Sequence, residues 1–92
     1  MTNEQIKEIN RLHAVVDAFA SDMKTRFTQK VEAGYTGWDG SYRSDVLCGE
    51  IASDAAYIGL CIVHDVNTQK KRIIDIANRA MILWYRRKDK VK

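Results

Sequence analysis

The sequence predicts an all-α protein of three main helices, on three observations. The 92 residues include no proline, so nothing forbids long helices. Apolar residues recur at steps of three and four over most of the chain, which is the period of an amphipathic helix. A single glycine-rich segment, 34–43, supplies the only real loop. A chain this short makes one domain with a marginal core. Its hydrophobic content of 46% is that of a globular chain rather than a disordered one.

The first helix opens on Thr2-Asn3-Glu4-Gln5, which has the T-x-x-Q form of a capping box. Behind it Ile6, Ile9, Leu12, Val16, Phe19, Met23, Phe27 and Val31 hold the helical period to about Glu32. Such a helix is ~45 Å long, against a radius of gyration of ~12 Å for a compact domain of this size. The helix therefore overhangs its domain or breaks. An overhanging apolar stripe needs a partner, and a second copy of the chain is the simplest one. The expected assembly is a helical bundle completed by homo-oligomerisation.

The loop carries Tyr35, Trp38 and Tyr42 among its glycines. Aromatics so placed either pack down on the core as a lid or stack on a flat ligand. Ser44 or Asp45 then caps a second helix running to about His64. Leu47, Ile51, Ile58 and Ile62 form one stripe of it with Asp54 in the middle, while Gly49, Ala52, Ala56, Gly59 and Val63 form a small-residue row opposite. Apolar on two faces, this helix is expected to be central or to lie at a subunit interface, with Glu50, Ser53, Tyr57 and His64 as a polar edge. Asn67 or Thr68 caps a third helix reaching about Arg87. Ile73, Ala77, Ala80 and Trp84 form its expected core stripe. Asp75, Asn78 and Ile82 make a second face that meets something else.

Charge is uneven. The net value is +3, and Lys70, Lys71, Arg72, Arg79, Arg86, Arg87, Lys88, Lys90 and Lys92 crowd the last quarter, ending in a basic tail over 86–92. An anionic ligand would be attracted there, or the run is simply a solvated helix face. A sequence pI near 9.0 does not amount to a nucleic-acid signature. No apolar run approaches a signal peptide or membrane span, so the expected setting is cytoplasmic, with no membrane partner. Cys48 and Cys61, ~20 Å apart on one helix, cannot pair within the chain. They read as buried small hydrophobes, and His13 and His64 read as structural.

No Ser-His-Asp order, phosphate-binding glycine loop or H-E-x-x-H is present. The acids hold more. Glu50 and Asp54, at i and i+4, point the same way, and Asp75 could face them from the third helix. Three converging carboxylates would hold Mg²⁺. The plainer alternative has Asp54 bonded to a basic side chain or a tyrosine, with Glu50 solvated.

The stretch Asp75-Ile76-Ala77-Asn78-Arg79-Ala80-Met81-Ile82-Leu83-Trp84 resembles a segment of small phage proteins that are MazG-like, relatives of the all-α nucleotide pyrophosphohydrolases. The segment Gly34–Asp39 resembles the glycine-tryptophan run ahead of their first catalytic helix, and Leu47-Cys48-Gly49-Glu50-Ile51 resembles the start of that helix. The resemblance spans roughly residues 30–84. It implies an oligomeric helical bundle in which E-x-x-E and E-x-x-D pairs hold Mg²⁺ to activate water. Glu50 matches the first acid, Asp75 the last, and Asn78 the asparagine that follows. Ser53 and Arg72 replace the other two acids, with Asp54 one residue from Ser53. An arginine there disfavours a divalent ion and favours phosphate.

The resemblance and its departures together imply a non-catalytic protein that captures a phosphorylated nucleotide, cyclic or linear. Some phage chains of this size capture host defence signals in this way, which would place the protein in the host cytoplasm. Tyr35 or Trp38 would stack on the base, and Lys71, Arg72, Asp75, Asn78 and Arg79 would complete the site. Two alternatives remain open. One is an Mg²⁺-dependent pyrophosphohydrolase using Glu50, Asp54 and Asp75. The other is an interaction module that binds a host protein through its apolar helix faces.

Overall fold

The computed structural model describes residues 1–35, 43–60 and 65–88, with the Leu60 side chain excepted. These form three helices, α1 (Asn3–Glu32), α2 (Ser44–Leu60) and α3 (Val66–Arg87), and no strand is present among the described residues. The all-α expectation is met. Residues 36–42, Cys61–His64 and the last four residues lie outside the description, and with them Trp38, Tyr42 and the expected end of α2 at His64.

α1 begins as the sequence predicts. The Thr2 hydroxyl accepts from the Gln5 backbone N–H at 3.1 Å, and the Thr2 backbone N–H donates to Gln5 Oε1 at 2.9 Å. Two N–H groups that a helix start leaves without partners are thereby satisfied. Its far end closes in a Schellman turn. Gly34 sits at φ +99, its N–H donates to the Val31 carbonyl, and the Tyr35 N–H donates to the Lys30 carbonyl at 2.9 Å. Glycine takes that backbone conformation without the steric cost of a Cβ. The turn fixes where Tyr35 leaves the helix.

α3 is the central element. It packs against both α1 and α2, and α1 and α2 do not pack against each other. The sequence suggested α2 for the centre or for a subunit interface, and α3 takes the centre. In the monomer the small-residue row of α2, Gly49, Ala52, Ala56 and Gly59, is exposed, while on the predicted stripe Leu47 is buried and Ile51, Asp54 and Ile58 are half-buried. Cys48 is exposed, contrary to its reading as a buried hydrophobe. The cap of α3 also differs: Asp65, rather than Asn67 or Thr68, accepts from the Thr68 N–H at 2.9 Å and from the Thr68 hydroxyl at 2.8 Å.

The expected core stripe of α3 is not the buried one. Ile73, Ala80 and Trp84 are exposed, Trp84 by 63%, and only Ala77 is half-buried. The buried residues are Ile74, Asp75, Asn78 and Ile82, which include the whole face expected to meet something else. The reason is electrostatic. α1 brings Arg26, Lys30 and the Met23 carbonyl to that face, so the Asp75 carboxylate and the Asn78 amide N–H are paired where they are buried.

The overhang of α1 is real. No residue of the helix is buried, and Ile6, Ile9, Leu12, Val15, Val16 and Phe19 are exposed. The radius of gyration is 15.9 Å, well above the ~12 Å of a compact chain this long. Among the described residues the buried apolar core is Leu47, Ile74 and Ile82 alone.

With so small a core, each member matters. Ile82→Ala should lower unfolding stability by about 2–4 kcal/mol in urea titrations followed by circular dichroism. Trp84→Ala should change it by less than about 0.5 kcal/mol. The reverse order would restore the stripe that the sequence suggested. Gly34→Ala should cost about 1 kcal/mol in the same assay.

Candidate functional site

Two sets of ion pairs flank α3. On the α1 side, Arg26 grips Asp75 with two bonds, Nε to Oδ1 at 2.9 Å and Nη2 to Oδ2 at 3.2 Å, and Lys30 Nζ lies 3.3 Å from Oδ1. This fork-on-carboxylate geometry is the strong form of the interaction. On the α2 side, Arg79 Nε lies 2.7 Å from Glu50 Oε2 as an ion pair, Arg79 Nη1 donates to Asp54, and Arg72 Nη1 donates to the other Asp54 oxygen at 2.8 Å. The Arg72 guanidinium also lies over the Tyr57 ring, 3.6 Å from its centre, a cation–π contact. The plainer reading of Asp54, bonded to a basic side chain, therefore holds.

Where α1 and α2 diverge from α3, a cleft of about 460 Å³ opens. That volume is within the range of small-molecule sites. Phe27, Leu47 and Ile82 give it an apolar lining. Arg26 and Lys30 reach it from α1, Asp75, Asn78 and Arg79 from α3, Glu50 from α2, and Tyr35 from the turn after α1. Three cations thus meet two carboxylates. Neither arginine exhausts its five N–H donors on the carboxylates it holds.

Asn78 is the most telling residue. It is 5% exposed, its Nδ2 donates to the Met23 carbonyl at 3.3 Å, and its buried Oδ1 has no hydrogen-bond partner. The carbonyl can only accept, which fixes the amide the right way round. A buried acceptor left without a donor costs free energy.

Of the residues the sequence singled out, the fold brings Tyr35, Glu50, Asp75, Asn78 and Arg79 to this cleft. Arg72 and Asp54 form the adjoining pair on the α2 side. Lys71 lies elsewhere, in a shallow groove with Lys70, Asp22 and Gln29, and Trp38 is outside the described residues. Sequence reasoning missed Arg26 and Lys30. Their i, i+4 spacing beside Met23 and Phe27 was the available signal.

The residues do not fit the Mg²⁺ that the resemblance implies. Glu50 and Asp54 are held by arginines, and Asp75, expected to face them, is bound by Arg26 and Lys30 instead. No cluster of three such ligands forms among the described residues. No described helix is long and apolar enough to cross a membrane. Comparison with known proteins finds no matching family model, no matching curated protein and no matching solved structure.

Burial pushes the Asp75 carboxyl up, but the Arg26 hydrogen bond and the Lys30 charge outweigh it and hold it below its ordinary value. The same hydrogen bond holds the Arg26 guanidinium above its ordinary value. A depressed carboxyl contributes stability above its unfolded pKa of ~3.9. That stability is lost as pH falls through the folded value. Asp75→Asn should therefore cost about 1–3 kcal/mol at pH 7, between surface and fully buried pairs. It should also flatten the fall in stability below about pH 4. Urea titrations at pH 7 and pH 3 measure both.

Proposed function

We propose that the protein captures a phosphorylated nucleotide, linear or cyclic, and does not hydrolyse it. The observation that carries this reading is the convergence on one cleft of Arg26, Lys30 and Arg79 with Asn78 and the exposed ring of Tyr35. Arg26, Lys30 and Arg79 would hold phosphate through N–H donors not used on carboxylates. Tyr35 would stack on the base. Hydrolysis by a metal-activated water would need free carboxylates, and the candidates are held by guanidinium or ammonium groups. In a phage, such capture would blunt a host nucleotide signal by sequestering it.

The test is a release assay. The protein is mixed with linear and cyclic nucleotides with and without Mg²⁺, freed of unbound ligand and denatured, and the released species is identified by mass spectrometry. An intact nucleotide retained without Mg²⁺ is expected. A monophosphate product that appears only with Mg²⁺ would contradict the proposal and restore the pyrophosphohydrolase alternative. Tyr35→Ala should weaken binding by roughly 5–150-fold, the worth of one stacked base, and leave thermal stability unchanged.

A further inference from the structure

The seam by which α1 packs on α3 does not stop where their contact ends. Met23, Arg26 and Lys30 are half-buried on that seam, at alternating steps of three and four residues. Continued towards the N-terminus, the same alternation passes through Phe19, Val16, Leu12 and Ile9. This is one unbroken heptad seam of a and d positions. Its covered half holds the α1–α3 interface, and its other half stands in solvent, with Leu12 exposed by 54% and Val16 by 61%. Ile6 and Ala20, both at e positions, widen the seam to the breadth of a helix built to enter a bundle.

We infer that a second copy of the chain covers this half, with the two α1 helices antiparallel. Antiparallel coiled helices set a positions against d positions. A single register does this for all four exposed seam residues, with Ile9 of one chain against Phe19 of the other and Leu12 against Val16. The pattern is thus its own complement about a two-fold axis level with Ala14, as an isologous interface requires. The overlap runs from Gln5 to Met23 and is ~28 Å long.

Ile6 falls beside Ala20 in this register, at the mouth of an open groove of about 630 Å³ between α1 and α3 that Ala20, Met23, Phe27 and Met81 line. The new interface is therefore continuous with the one inside the chain. The extended shape and the three-residue apolar core of the described chain point the same way, because a core this small is marginal alone.

Light scattering on the purified chain should give twice the 10.6 kDa chain mass or an even multiple of it. A mass of one chain at tens of micromolar, or an odd number of chains, would overturn the inference. Val16→Glu should reduce the assembly by half or to single chains while helical circular dichroism persists. An unchanged mass would overturn it.

Cross-linking needs no destabilising charge. In a background of Cys48→Ser and Cys61→Ser, the Ile9→Cys and Phe19→Cys proteins are mixed and oxidised. The mixed 9–19 disulfide should exceed the 9–9 and 19–19 products at least tenfold. Dominance of the like pairs would mean parallel helices and would contradict the register.

Discussion

The Asp75 carboxylate, gripped by Arg26 and Lys30, is the constraint on which the arrangement of the helices depends. It lies on the central helix, is nearly buried, and is matched from a different helix 49 residues away in sequence. A buried carboxylate without partners would be several kcal/mol too costly to keep. The register in which α1 packs on α3 is therefore the one that brings Arg26 to Asp75. Apolar burial alone would not specify it, because Ile74 and Ile82 are the only apolar residues of α3 buried among those described.

The opposite flank uses the same chemistry with the signs reversed. There α3 supplies the guanidiniums, Arg72 and Arg79, and α2 supplies the carboxylates, Glu50 and Asp54. A helix that presents an acid to one neighbour and bases to the other cannot exchange them without facing like charges, so the pairs specify topology as well as register. The cleft follows from this arrangement. α1 and α2 are fixed to α3 separately, and the gap between them retains the polar groups that fix them.

Hydrophobic period and capping chemistry made much of the fold legible in the sequence. The Thr2–Gln5 box, the run of α1 to Glu32, its break at Gly34 and its overhang all follow from local pattern. The inward face of α3 was legible only in part. Hydropathy ranks Ile73 and Trp84 above Asp75 and Asn78 as core residues, and it has no access to a partner on another helix. Arg26 and Lys30, four residues apart on α1, reverse that ranking. The candidate site shares this limit. Glu50, Asp75, Asn78 and Arg79 could be singled out by residue type, but that Asp75 turns to α1 rather than to Glu50 and Asp54 depends on tertiary pairing. Asp65 was overlooked as a cap although it stands three residues before Thr68, whose N–H and hydroxyl both bond to it.

The most direct test of this account is the coupling energy between Arg26 and Asp75, from a double-mutant cycle of Arg26→Met and Asp75→Asn in urea unfolding at pH 7. A coupling above about 1 kcal/mol, beyond that of an exposed pair, is expected. A value near zero would mean that packing sets the register of α1 without the ion pair, and the central constraint would then lie elsewhere.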